Sequence, residues 1–573
     1  MATSAVQATP TGSGREVAVR IGAQVLVETL RRLGVTAIFG HPGGAALPIY
    51  DALYDARDIA HVLVRHEQVA AHAAVGYARA TGRVGVCLAT SGPGATNLIT
   101  GLTDAYMDSI PVVAITAQVP TAVIGRDAFQ EADVIGLTLP ITKHSYLVRD
   151  PADLPAVLAE AFAVAASGRP GPVVVDVPRD VSQTPLAATR GEPAPSRRPG
   201  PRAPHPGQIA AAAALLREAR RPVVYAGGGV ISAGASAELT RLVDRTGLPV
   251  TVTLMGKGAI DEHHPRCLGM LGMHGTVYAN YAVDAADVVL AVGVRFDDRV
   301  TGRLRDFAPQ ARFIHIDIDP AEIGKNKPAH VPIVADARAA LAALADALPD
   351  PLPLEPWWRQ LGEWQARYPL RYRQGDDVIK PQFVCETLAR LTADRAVVVT
   401  DVGQHQMWAA QFCRPRAPRT FISSGGLGAM GFGFPAALGA QVARPEATVV
   451  ALVGDGGFQM TMQDLITAVE WRLPVKVVVL NNGSLGMVRQ WQEFFYRQRY
   501  AHVFLRNPDF ARLAEVFGAR GRSVRRPDEV EAALAWALAV QDGPCVLDVH
   551  VDPQENCLPM IPSGQSVKEM ILG

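Results

Sequence analysis

The tightest constraint on how this chain folds is a pair of apolar runs, each closed by a short polar motif. Ala447-Thr448-Val449-Val450-Ala451-Leu452-Val453 leads into Gly454-Asp455-Gly456, and Pro474-Val475-Lys476-Val477-Val478-Val479-Leu480 leads into Asn481-Asn482. Short valine-rich runs of this kind are the pattern of strands covered on both faces in a parallel sheet. A helix-like segment, Met462 to Trp471, lies between them. The two runs therefore read as neighbouring parallel strands whose motifs share one carboxyl edge, the edge where open α/β sheets bind ligands. The Asp455 carboxylate, the Asn482 side-chain carbonyl and a backbone carbonyl just beyond form a set of hard oxygen donors. Such a set suits Mg²⁺, which takes few protein ligands and completes its octahedron with phosphate and water. The glycines allow close approach to phosphates. A lone GDG is more often a plain strand-to-helix turn; the asparagine pair at the end of the next strand tips the balance toward a site.

Composition narrows the class. A chain of 573 residues exceeds a single core, and about three or four domains are expected. The formal net charge is zero, which gives no argument for a nucleic-acid or membrane partner, and no apolar run approaches the ~20 residues of a membrane span. The apolar fraction of 49% fits a large α/β enzyme, with oligomerisation an option. The six cysteines (Cys87, Cys267, Cys385, Cys413, Cys545 and Cys557) are scattered without a CxxC pair. That usage fits buried thiols in a reducing, cytoplasmic compartment. Residues 1–17 lack the apolar core of a signal peptide and read as a disordered tail.

Read in order, the chain is expected to be α/β throughout, with three doubly wound parallel-sheet domains. Residues 18–185 alternate buried strands (Ala37–Gly40, Val62–Val64, Val84–Ala89, Pro111–Thr116, Val173–Val177) with helices, one opening at Arg65-His66-Glu67-Gln68. Residues 186–206, rich in Pro, Arg and Ala, read as a linker. A second α/β unit spans 207–348, a connector spans 349–380, a third unit spans 381–551, and 552–573 form a C-terminal tail. The first and third units share a faint echo, Asn97-Leu98-Ile99-Thr100 against Asp464-Leu465-Ile466-Thr467, each followed by a strand. An ancient duplication would leave such a trace.

The GDG and NN pair resembles the diphosphate motif of the thiamine diphosphate (ThDP) enzymes, and RHEQ followed by TSGPGATN resembles their pyrimidine-binding domain. The strings FGHPGGAALPIYDAL, IGRDAFQE, LGMLGMHG, RFDDRVTG, DVGQHQMWAAQ, SSGGLGAMGFGFPAALGAQ and LGMVRQWQ extend the likeness over nearly the whole chain. Together they are similar to the catalytic subunit of the acetohydroxyacid synthase (acetolactate synthase) family.

The resemblance implies roles residue by residue. Asp455, Asn482 and the Ser484 carbonyl would hold Mg²⁺, with Gly454, Gly456 and Gly457 around the diphosphate. Glu67 would bond the aminopyrimidine ring and share its proton, and Pro42 would stand close to the cofactor. Gly428 and Met430 would prop ThDP in its bent shape; ordinary core packing is the compatible alternative for Met430. Val402, Gly403, Gln404 and His405 would lie over the diphosphate, and Gly486, Met487 and Val488 would contact the cofactor or cover the site. Phe129 and Gln130 would enter from the pyrimidine-domain side. Arg299 would face the carboxylate of the second ketoacid, a task that suits a guanidinium fork; an ion pair with Asp297 or Asp298 is the plainer option. Trp491 would line the acceptor pocket, where an aromatic core position is the alternative.

The middle unit resembles the family's FAD-binding domain. The residues implied are Arg169, Gly227, Gly228, Gly229, Leu271, Gly272, Met273, His274, Gly293, Val294, Arg295, Asp297, Asp317, Ile318, Asp336 and Ala337, with a flavin that is mainly structural. Three positions depart from the family's usual residues: His41, Arg179 and Ser484.

The activity implied is decarboxylation of pyruvate on ThDP and ligation of the hydroxyethyl unit to pyruvate or 2-oxobutanoate, in valine, leucine and isoleucine biosynthesis. A homodimer or homotetramer with active sites between subunits is implied, with a small regulatory subunit as a possible partner. The rival readings are a flavin-free catabolic acetolactate synthase, glyoxylate carboligase, a flavin-linked pyruvate oxidase and a non-catalytic ThDP-fold binding protein. RFDDRVTG with the middle-unit strings, Glu67, LGMVRQWQ, and the intact Asp455, Asn482 and Glu67 oppose them in turn.

Overall fold

A computed structural model describes residues 20–186 and 202–572. The expected tail at 1–17 and most of the expected linker at 186–206 lie outside the described residues. The described residues form three parallel sheets of six strands each, beside a two-stranded antiparallel pair of Arg20–Ile21 with Pro185–Leu186, so the α/β expectation is borne out.

In the first sheet β1 (Ala37–Gly40), β2 (Ala60–Leu63), β3 (Gly85–Ala89), β4 (Val112–Gln118), β5 (His144–Leu147) and β6 (Val173–Pro178) lie in the order β2-β1-β3-β4-β6-β5. Helix α1 (Glu67–Thr81) follows β2, and α2 (Ile99–Met107) precedes β4. Helix α1 starts where the His66 side chain caps the Gln68 amide, and stops at Gly82, whose φ of 74° a side chain would resist. Between those limits only Gln68 and Thr81 escape burial, so α1 is a core helix, covered on every side.

The middle sheet holds β7 (Pro222–Ala226), β8 (Val250–Val252), β9 (Cys267–Met270), β10 (Val288–Val292), β11 (Arg312–Asp317) and β12 (Val331–Val334), ordered β9-β8-β7-β10-β11-β12. The chain turns back between β7 and β10, which is the dinucleotide-binding order with its switch point there.

The third sheet holds β13 (Val397–Thr400), β14 (Phe421–Ile422), β15 (Val449–Gly454), β16 (Lys476–Asn481), β17 (Arg520–Val524) and β18 (Cys545–His550), ordered β14-β13-β15-β16-β18-β17. Its helices include α3 (Gln404–Phe412), α4 (Gly433–Ala443) and α5 (Gly486–Phe495). Relabelled from its own first strand, this order is the same as that of the first sheet. That identity is what a duplication would leave. The strand pair read from the sequence is present: β15 and β16 are parallel neighbours, Gly454 opposite Leu480.

The first and third units share one hydrophobic core, in which α1 crosses α4. The crossing is as close as backbones allow. A Cβ on Gly76 would stand 2.1 Å from the Ala436 carbonyl oxygen, and one on Gly439 would stand 1.9 Å from that of Ala73. Polar ties flank it: the Arg65 amide donates to Asp464 at 2.8 Å, and the Thr467 hydroxyl donates to the Leu63 carbonyl at 3.0 Å. All six cysteines are buried and unbridged. Among the described residues no helix is long and apolar enough to cross a membrane.

Candidate active site

The carboxyl ends of β15 and β16 place Asp455 and Asn482 side by side. Asp455 opens a short helix, Asp455–Gln459, and its oxygens are already engaged. Oδ1 accepts from the Gly456 amide at 2.9 Å; Oδ2 accepts from the Gly483 amide at 2.8 Å and from Asn507 Nδ2 at 2.6 Å. Burial raises the Asp455 pKa, and the bonds from Asn507, Gly456 and Gly483 work against that rise. Asn482 Oδ1 accepts from the Ser484 amide at 3.1 Å, and Asn482 Nδ2 donates to Gln404 Oε1 at 3.3 Å. One carboxylate and neutral oxygens at a strand edge fit Mg²⁺ with a diphosphate. Among the described residues no cluster of three or more His, Cys, Asp or Glu competes for a metal.

The loop after β13 packs over this edge. Asp401, wholly buried, accepts from the amides of Val402 (2.8 Å), Gly431 (3.1 Å) and Gly433 (2.8 Å), and so ties the 402–405 turn to the loop carrying Gly428 and Met430. Met430 Cε lies 3.5 Å from where a Gly456 Cβ would be. His405 sits against Gly454, and burial pushes its pKa down to about 3. Its Nε2 is buried without a partner. An orphaned donor or acceptor here fits a polar ligand above the Gly454 turn. Gly486, at the start of α5, leaves room only for hydrogen beside Gln404 and Asn482.

Glu67 begins α1 and is 8% exposed. Asn97 Nδ2 donates to its Oε2 at 2.9 Å, and Gly94 lies beside Oε1. His41 Nδ1 is 2.7 Å from the Val64 carbonyl, and the turn it shares with Pro42 and Gly43 rests on Thr90. Gln130 holds φ at 60° next to Gly92, and its neighbour Phe129 is 88% exposed.

The second focus is a cavity of about 1570 Å³. It runs from the middle sheet's switch point to the third unit. At the switch point a Cβ on Gly227 would stand 2.2 Å from the Gly293 carbonyl oxygen, and one on Gly229 would stand 2.6 Å from Gly293 Cα. Only glycines let these two turns meet and leave a crevice. Its wall takes in Gly228, Gly229, Leu271, Met273, His274, Gly293, Val294, Arg295, Asp297, Asp317, Ile318, Asp336, Ala337 and Arg169, while Gly272 and Gly227 sit behind it. His274 is buried with Nε2 unpartnered. Burial lifts Asp317 to about 6. Arg169 bonds Glu322 at 2.6 Å and Ser109 at 2.8 Å. Asp336 caps the following helix through Arg338 and Ala339 amides.

Val402, Gly403, Gly428, Met430, Met487, Val488, Arg299 and Trp491 close the far end of the same cavity. There the Arg299 guanidinium lies over the Trp491 ring, 5.7 Å from its centroid. Arg299 also reaches Ser563 at 3.3 Å and Asp298 at 3.5 Å; the latter pair is exposed and worth little. Glu67, Asp455, Phe129 and Gln130 are not on this cavity's wall. One chain thus joins the middle sheet's crevice to Trp491 and Met430 but leaves Glu67, Phe129 and Gln130 elsewhere.

Several contributors were not singled out in the sequence. Asn97 and Asp401 lie inside quoted strings without an assigned role, and Asn507 lies outside them; all three act through hydrogen bonds to residues far along the chain. Thr253, Leu254 and Met255 line the crevice. The segment after β18 is also part of the site: Arg489 bonds the carbonyls of Gln554 and Glu555, and Gln490 Nε2 donates to the Cys557 carbonyl at 3.1 Å. These bonds clamp α5, which carries Met487 and Trp491.

Comparison with known proteins agrees with this geometry. Three family models match: the thiamine pyrophosphate enzyme N-terminal TPP binding domain over residues 20–137, the central domain over 209–344, and the C-terminal TPP binding domain over 401–549. The chain is 52% identical over 563 residues to the acetolactate synthase of Mycobacterium bovis, covering 96% of this chain and 91% of that protein. It is 52% identical to the acetolactate synthase large subunit of Parasynechococcus marenigrum, covering 96% and 90%. With the acetolactate synthase isozyme 2 large subunit of Escherichia coli it shares 52% identity over 553 residues, covering 96% and 99%. The chain is a ThDP-dependent enzyme and belongs to the acetolactate synthase family.

Proposed function

We propose that this chain decarboxylates pyruvate and joins the two-carbon remainder to a second 2-ketoacid. Pyruvate as acceptor gives 2-acetolactate; 2-oxobutanoate gives 2-aceto-2-hydroxybutyrate. The observation that carries this reading is the Arg299–Trp491 pair at the end of the cavity. A guanidinium beside an indole face complements a short 2-ketoacid, with a carboxylate at one end and an alkyl group at the other.

ThDP, when bound, supplies the carbon nucleophile and electron sink that no side chain offers. Glu67 holds or shares the proton that activates it. Because Asn97 donates to Oε2, the exchangeable proton belongs on Oε1. Asp455, Asn482 and the Ser484 carbonyl would hold Mg²⁺, with Val402, Gly403, Gln404 and His405 over the diphosphate. The middle unit's crevice suits FAD: the strand order, the Gly227–Gly293 approach and the orphaned His274 Nε2 all support a dinucleotide there. Ligation of two ketoacids passes no net electron, so the flavin's part is structural.

We further infer a homodimer or homotetramer. The separation of Glu67 from the Met430 cavity, with Phe129 88% exposed, leaves each site to be completed by a second copy. The name "large subunit" borne by relatives motivates a small regulatory partner, and the biosynthetic role implies the cytoplasm. The test is a product assay with pyruvate, with and without 2-oxobutanoate, in the presence of ThDP, Mg²⁺ and FAD. Acetolactate alone and then a mixture of both acids is expected; acetate or acetyl phosphate would sink the reading.

A further inference from the structure

One buried cluster at the cavity wall joins the first unit to the loop that carries Met430. Asp104 lies on α2, and Asp108 caps its end one turn later. Asp104 is wholly buried, and the Asp108 side chain is 2% exposed. Their partners come from the third unit. The amides of Gly425 and Gly426 donate to Asp108 Oδ2 and Oδ1 at 3.0 and 2.7 Å. The Ser424 hydroxyl donates to Asp104 Oδ1 and accepts from the Ala429 amide at 2.9 Å. Arg79 of α1 pairs with Asp108 in a short contact, and the Arg79 carbonyl accepts from Arg419 at 3.1 Å. A Cβ on Gly426 would stand 2.8 Å from Asp108 Oδ1, so the loop is held without slack. Asp108, Gly425, Gly426 and Met430 share one wall of the cavity.

We propose that Asp104 and Asp108 are positioning residues for the reaction: from the first unit they set where loop 423–430, and with it Met430, stands toward the cofactor in the third. This rests on the reading of Met430 as a cofactor wall.

The charges support it. Two carboxylates face one guanidinium, Arg79, and residues 423–430 contain no ionisable side chain. Asp104 Oδ2 has no partner. Burial, and then the charge of Asp108, push Asp104 from its ordinary 3.8 up to about 7. A proton on Oδ2 balances the cluster at one anion and one cation. The folded pKa lies above the unfolded one, so this contribution is full below pH 3.8 and is lost as pH rises through about 7.

The test uses the holoenzyme and four variants: Asp108→Asn, Asp104→Asn, Ser424→Ala and Met430→Ala. Asp108→Asn and Ser424→Ala should raise the ThDP concentration for half-maximal activity by roughly ten-fold or more, while the pyruvate KM moves less. Asp104→Asn cannot ionise and should extend the alkaline limb of kcat by about one pH unit. Lower melting temperatures with a wild-type ThDP requirement and pH limb would overturn the proposal, leaving the cluster merely structural. If Asp108→Asn does not fold, Ser424→Ala, which keeps both carboxylates, carries the same readout. A fully active Met430→Ala would sink the reading of Met430 itself. An impaired Met430→Ala beside unchanged Ser424→Ala and Asp104→Asn would sink the positioning role alone.

Discussion

Replacing Gly486 by alanine sets two physical expectations against each other. Gly486 is the first residue of α5, where helix propensity favours alanine by up to ~1 kcal/mol. Sterics oppose it. The new methyl would stand 2.2 Å from Gln404 Oε1 and 2.5 Å from Asn482 Nδ2, against an ordinary contact of 3.4 Å. Something must therefore move by about 1.2 Å. Gln404 is pinned, its Nε2 donating to Gln490 Oε1 and to the Glu555 carbonyl, both at 2.9 Å. Displacing it gives up one buried and one part-buried hydrogen bond at roughly 1 kcal/mol each. Moving Asn482 instead takes its Oδ1 away from the proposed metal position. With an overpacking cost of ~1–3 kcal/mol, the sterics win, and the loss falls on the site. ThDP·Mg²⁺ affinity should drop by roughly 10²-fold, equivalent to about 2.8 kcal/mol. Tryptophan fluorescence during ThDP titration at fixed Mg²⁺ measures this, with thermal melts of cofactor-free protein alongside. A variant that binds ThDP·Mg²⁺ like wild type and melts no lower would refute the reasoning, because the Gln404–Asn482 contact would then relax freely.

Three further outcomes follow from the same geometry. Glu67→Gln should retain ThDP but slow exchange of its thiazolium C2 proton by ~10²-fold or more, since an amide cannot relay the proton; acid-quench NMR after deuterium mixing reads this, and unchanged exchange removes Glu67 from the role. Trp491→Leu should lose much of a ~10- to 200-fold preference for 2-oxobutanoate while still making acetolactate from pyruvate; a competition assay in one tube, with an unchanged product ratio, would make Trp491 structural only. The purified protein should be yellow, and its absorbance should remain that of oxidised flavin through steady turnover; reduction at every turnover on adding pyruvate would indicate an oxidase.

What could be read from the sequence was local. β15 and β16 announced themselves because both are valine-rich and because their two closing motifs, taken together, point to ligand chemistry. Strand β5, His144–Leu147, did not, because it is a polar edge strand lying half out of the core. Gly227 was visible as a turn glycine, but its meeting with Gly293 depends on β7 and β10 being neighbours, and strand order is not encoded in any short window. Arg299 and Trp491 came from the family likeness; their stacking required folding two units against each other. Asn97 and Asp401 stood inside quoted motifs without a role, and Asn507 and the Asp104–Asp108 pair stood in none, since single polar residues in buried helices and loops look alike until their partners are known.

The crossing of α1 and α4 has a consequence for how the protein is made. α1 ends at Thr81 and α4 begins at Gly433, so roughly 350 residues separate two helices that cover each other. At ~5–20 residues per second, a ribosome needs roughly 20–70 s to synthesise that span. Throughout it, a helix that is buried almost all round in the finished protein has no mate, and the first unit must wait with an apolar face open. One face of the middle sheet is closed by residues no later than Trp364 and has no such wait. Yield in the cell is therefore set by how well α1 is shielded during elongation: slow translation or scarce chaperones should deplete this enzyme before they touch its catalytic constants.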